Sequence, residues 1–164
     1  MHEGLFGFTR TVCACETCTD NCRHMSGVCA PQDIARWAQQ HGTAFRAWAL
    51  DSLAASPGAL ALRQGARIRI PTIVPRRDAS GRCHWLDPHD QCMIHAQAPF
   101  GCAYFDCTQS WEEGNRRSIP VHLAIMRDWE SDGPYSRLWR MLHDAGKTVE
   151  GPTASRARMR QEAR

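Results

Sequence analysis

Cys13-x-Cys15-x2-Cys18-x3-Cys22-x6-Cys29 and Cys83-x8-Cys92-x9-Cys102-x4-Cys107 decide how this chain is read. All nine cysteines lie in these two windows, and residues 30–82 contain none. Thiolate is a soft, charged ligand that suits zinc and iron. A tetrahedral zinc site takes four such ligands, usually from two short segments far apart in sequence, and an iron–sulfur cluster also takes four cysteines. Cys15-x2-Cys18 has the spacing of one knuckle, and Cys22 adds a third thiol on the same segment. The expectation is two cysteine-rich loops drawn together around metal, with the rest of the chain as support. Nine thiols exceed one four-ligand site. The surplus is free to form a second site, extend a cluster or stay inert.

The surroundings of these windows set the context. A chain of 164 residues with 43% hydrophobic content and six tryptophans fits one globular domain, here residues 1–150. The start, Met1-His2-Glu3-Gly4-Leu5-Phe6-Gly7-Phe8, lacks the basic flank and apolar run of a signal peptide, and no apolar stretch is long enough for a membrane span. A cytoplasmic location follows as the expectation, and reduced cytosolic thiols act as ligands rather than disulfides. An odd count of nine also fits poorly with full pairing.

The net charge of +3 is unevenly placed. Residues 151–164 carry Arg156, Arg158, Arg160 and Arg164 against Glu162, so this basic C-terminal tail holds the whole surplus. The body is balanced and is no nucleic-acid binder by charge. Only the tail suits phosphate or an acidic partner.

Periodicity supplies the scaffold. Residues 31–42 read as a helix, with Pro31 at its first position, Ile34, Trp37 and Ala38 on one face, and Gly42 at its end. A second helix is predicted from Thr43 to Ala55, stopped by Ser56-Pro57-Gly58. Ala66–Val74 alternates as an edge strand, with Cys83–Leu86 as its expected partner. Ser118 and Pro120 suggest the start of a third helix, and Tyr135, Leu138, Trp139, Leu142 and Ala145 stripe a fourth. Phe6, Phe8 and Val12 hint at a short leading strand, and the Cys13–Cys29 window shows neither period. The fold class is α+β and mainly helical: a short β-hairpin, four to five helices and two cysteine loops around a metal site.

Beyond the single knuckle, the order Cys15-x2-Cys18-x3-Cys22, Gly27-Val28, Asp33-Ile34-Ala35-Arg36-Trp37, Gly81-x-Cys83-His84-Trp85-Leu86-Asp87, Cys92-Met93-Ile94-His95, Pro99 and Cys102 resembles the YkgJ-like cysteine-cluster family of zinc- or iron-chelating domains. The resemblance spans residues 13–107. It implies Cys15, Cys18, Cys22, Cys83, Cys92 and Cys102 as metal-site residues. The family usually doubles the cysteine where Arg23 follows Cys22 here, so Cys13 or Cys29 is the candidate replacement, with Cys107 also in reach. His95 stands where the family usually has tyrosine, and Cys92-x2-His95 has ligand spacing. Relatives that modify flagellin lysines look like iron–sulfur proteins. The resemblance therefore implies a cluster of the 4Fe-4S type, with zinc as the alternative.

Three roles compete: a redox, metal-handling or metal-dependent modifying protein; a structural zinc module presenting a protein- or nucleic-acid-binding surface; and an enzyme using a thiol or His95 at an open metal position. The sequence carries no Gly-rich phosphate loop, no supported Ser-His-Asp set and no paired carboxylates in register.

Overall fold

A computed structural model describes residues 4–149, except 12, 14, 25, 64 and 65. For residues 59–63, 66, 67 and 111 it describes the backbone alone. The arginine tail lies outside the described residues. Among the described residues there are six helices and one antiparallel hairpin: α1 Glu16–His24, α2 Pro31–His41, α3 Phe45–Ser52, β1 Leu53–Arg63, β2 Ala66–Pro75, α4 Phe100–Ala103, α5 Trp111–Glu130 and α6 Pro134–Asp144. The mainly helical α+β class matches the sequence expectation.

Helix α2 forms as its sequence indicates. Pro31 opens it, Ile34 and Trp37 face the core, and Gly42 ends it at φ 51°. The predicted second helix is shorter than its pattern. Helix α3 stops at Ser52, and Leu53-Ala54-Ala55-Ser56 starts β1 instead. These four residues are almost wholly buried, so tertiary packing overrides a helix-friendly composition. Gly58 sits in a bulge between Ser56 and Ala59, at φ 96°, with a would-be Cβ only 1.6 Å from the Ile70 carbonyl oxygen. Pro71 lies opposite this bulge, where the ladder demands no N–H from it.

The hairpin therefore pairs Ala66–Pro75 with Leu53–Arg63, in a register running from Leu53↔Pro75 to Arg63↔Ala66. The expected partner, Cys83–Leu86, forms tight turns and two isolated bridges, Arg77↔Cys83 and Leu86↔Cys92. The leading segment is a 3-10 turn at Leu5–Gly7 rather than a strand.

Helix α5 begins at Trp111, well before Ser118. Ser110 accepts the Glu113 N–H at 3.2 Å, and Glu112 and Glu113 suit the positive end of the helix. Ser118 instead donates to the Gly114 carbonyl at 2.8 Å, and Pro120 lies inside the helix. Helix α6 buries Tyr135, Leu138 and Leu142. The buried Tyr135 hydroxyl accepts the Ile73 N–H at 2.7 Å and donates to the Cys29 carbonyl at 3.0 Å. One side chain thus fastens β2, α6 and the end of the first cysteine segment.

A second fastening holds the cysteine segments to this frame. Asp33, 1% exposed, accepts the Ala30 and Phe100 N–H groups through Oδ2, each at 2.8 Å, and Arg36 through Oδ1 at 3.0 Å. It joins the start of α2 to the start of α4. Arg36 also donates to the Gln97 carbonyl at 2.9 Å.

Candidate metal centre

Helix α1 explains why the first window has no apolar period. None of its residues is buried, and its signals are at its ends: Glu16 in the first turn, Arg23 and His24 in the last. Cys15 caps it. The Cys15 carbonyl accepts the first helical bond from Thr19 at 3.0 Å, and its sulfur receives the Cys18 N–H. Cys18 and Cys22, one turn apart, share a face of the helix. Sulfur here replaces the usual apolar stripe.

Cys13, Cys15, Cys18 and Cys107 place their sulfurs all within 4.8 Å of one another. Cys15 Sγ lies 3.4 Å and Cys13 Sγ 3.9 Å from Cys107 Sγ. The Cys107 N–H points at Cys18 Sγ, 3.4 Å away. These four side chains are exposed or half-buried, so an ion has access. The group is close enough to bind a metal ion.

The convergence has a visible cause. Thr11 N–H donates to the Ala103 carbonyl at 2.8 Å, and its hydroxyl donates to Asp106 Oδ2 at 2.7 Å. The Cys13 N–H donates back to that hydroxyl at 3.1 Å. Asp106 also accepts the Thr108 N–H at 2.8 Å, which shapes the turn that presents Cys107.

The charges within the group are unequal. The Cys18 N–H, with help from Cys107 and Cys13, brings the Cys15 thiol down to about 6. Cys107, sharing its proton with Cys15, is pushed up to about 12. Desolvation raises Cys18. At neutral pH Cys15 on the helix cap is thus a thiolate, with the protonated Cys107 thiol against it. A metal ion would displace the remaining protons.

The other sequence candidates lie elsewhere. Cys22, Cys83, Cys92 and Cys102 neighbour one another, and Cys22 also feels Cys18, one turn earlier on the same face of α1. Cys29 is fully buried, with desolvation and nearby Asp33 raising its thiol far above the ordinary range, and its backbone is tied to Ile73 and Tyr135. Cys102 and Cys83 are among its neighbours. His95 is exposed and opens a 3-10 turn, and its ring joins no tight ligand group among the described residues. His24 is exposed and pairs with Asp20, while the His84 ring lies tilted against that of Trp85. Cys13 and Cys107 complete the tight group beside Cys15 and Cys18. Their one sequence signal is Cys13-x-Cys15, a third thiol within a six-residue stretch.

No protein-family model, curated protein or solved structure matches the chain. Among the described residues no helix is long and apolar enough to cross a membrane.

Proposed function

We propose that the chain is a metalloprotein in which Cys13, Cys15, Cys18 and Cys107 hold one tetrahedral zinc ion as a structural clamp. The sulfur spacing carries this reading. Four thiolates at about 2.3 Å from zinc stand about 3.8 Å apart, and the sulfurs here are 3.4 to 3.9 Å apart where they touch. An iron–sulfur cluster, with irons and sulfides between its ligands, spreads its thiolates more widely. Four protein sulfurs also close the coordination shell, which favours a structural over a catalytic ion. The clamp ties the N-terminal segment to the chain just before α5, across more than 90 residues. The YkgJ-like order of cysteines and a reducing cytoplasmic setting belong to the same proposal. The partner in that setting would be a protein held by the clamped surface.

Metal analysis of protein purified without oxygen tests it, together with cobalt substitution. Zinc should be retained, and the cobalt form should show the intense thiolate charge-transfer and visible bands of a tetrahedral sulfur site. Cys107→Ser and Cys13→Ser should each lose both. Zinc bound as tightly in Cys107→Ser as in the parent would overturn the assignment. A brown parent that turns colourless in Cys13→Ser would put iron in this site instead.

A further inference from the structure

The clamp holds its two most accessible thiols against each other. Of the nine cysteines, Cys15 and Cys107 alone are exposed. Their sulfurs stand 3.4 Å apart, closer than those of Cys13 and Cys107 at 3.9 Å. Cys13 and Cys18, the other members of the group, are half-buried. Helix α1 buries none of its residues, so a small oxidant in water reaches the exposed pair without opening the core.

The backbone permits the pair to join. A disulfide bond is about 2.05 Å long, so the two sulfurs need to close by about 1.4 Å. Neither residue lies inside a helix or strand, and the Cys107 N–H is directed at Cys18 Sγ rather than at a backbone carbonyl. The shift therefore breaks no interior hydrogen bond of a regular element. An accessible thiol poised beside a second thiol is the arrangement of a redox-sensing cysteine.

We infer that the clamp is a peroxide-responsive switch, in which Cys15 and Cys107 are oxidised to a disulfide and the zinc ion is released. The inference rests on the zinc reading above. One thiolate of the pair attacks an oxygen of hydrogen peroxide. An S–O bond forms, the O–O bond breaks, and the departing hydroxide takes a proton from solvent to become water. The second thiolate attacks the oxidised sulfur. The S–S bond forms, the S–O bond breaks, and a second hydroxide leaves as water. Sulfur loses the two electrons that the peroxide oxygens gain. Thiolate, not disulfide, is the metal ligand, so the ion keeps only Cys13 and Cys18. The new bond spans the same 92 positions that the ion had bridged, so the cross-link persists when zinc goes. Zinc release, not unfolding, is then the output.

The full chain, loaded with zinc without oxygen and then exposed to hydrogen peroxide, tests this. Zinc release into a chromophoric chelator should run at least tenfold faster with peroxide than without it, and two thiols should be lost per ion. Peptide mass spectrometry of the parent, which needs no variant to fold, should map one disulfide, Cys15–Cys107. Dithiothreitol with added zinc should restore both thiols and the bound ion. Zinc retained under excess peroxide, a disulfide mapped to any other pair, or a loss that dithiothreitol does not reverse would each overturn the switch and leave the clamp standing. A parent chain that takes up no zinc would overturn both.

Discussion

Replacing Asp33 by alanine tests how the frame holds the two cysteine segments in place. Asp33 accepts three donors, but they do not count equally. The Ala30 and Phe100 N–H groups belong to fully buried residues, and no water replaces the lost oxygen. Each stranded buried donor costs about 1–3 kcal/mol. Arg36 is more than a third exposed and keeps its bond to Gln97, so its share is small. Removing a carboxylate that burial disfavours returns part of the cost, as its raised pKa shows. The net loss for Asp33→Ala is about 2–4 kcal/mol of unfolding free energy. Asp33→Asn should lose roughly half as much, because one amide oxygen can still accept both N–H groups. Urea titration at fixed zinc, followed by tryptophan fluorescence, measures both. A loss below about 0.5 kcal/mol for Asp33→Ala would refute the claim that this carboxylate carries the junction.

Three further outcomes follow from the same geometry. Gly27→Ala forces a Cβ to within 2.3 Å of the Gly101 backbone, so it should cost about 1–3 kcal/mol, as read by denaturation. In metal-free protein Cys15 should be the first cysteine alkylated, with a rate that is half-maximal near pH 6, followed by mass spectrometry. Since its folded pKa lies below the usual 9.0, the stability it contributes is present above that value and is lost as pH falls through about 6. Zinc chelation and Cys107→Ser should lower the melting temperature by similar amounts, and chelation should do nothing further to Cys107→Ser. A full additive loss would show that the chelator acts elsewhere.

What the sequence disclosed, and what it hid, divides by physical cause. Helix α2 was legible because Pro31, Ile34, Trp37 and Gly42 each act locally. The true partner of Ala66–Pro75 was not, because Leu53–Ser56 has a helix-friendly composition and becomes a strand only through burial against the rest of the molecule. Helix α1 was hidden for a different reason: cysteine occupies its inward face, so a search for aliphatic periodicity passes over it. The same blind spot governs the sites. Spacing alone groups Cys15, Cys18 and Cys22 as one run, yet only Cys15 and Cys18 belong to the tight sulfur group; Cys22, one turn further along the same face, has Cys83 and Cys92 as neighbours besides Cys18. Cys107 joins Cys13 through Thr11 and Asp106, two polar residues whose pairing across 95 positions leaves no mark in local pattern. A rule follows for cysteine-rich chains of this kind. Thiols within one run should be assigned to a site only once their positions along the helix are known, because the rise of about 5.4 Å per turn is enough to carry a thiol on the same face out of a tight ligand group.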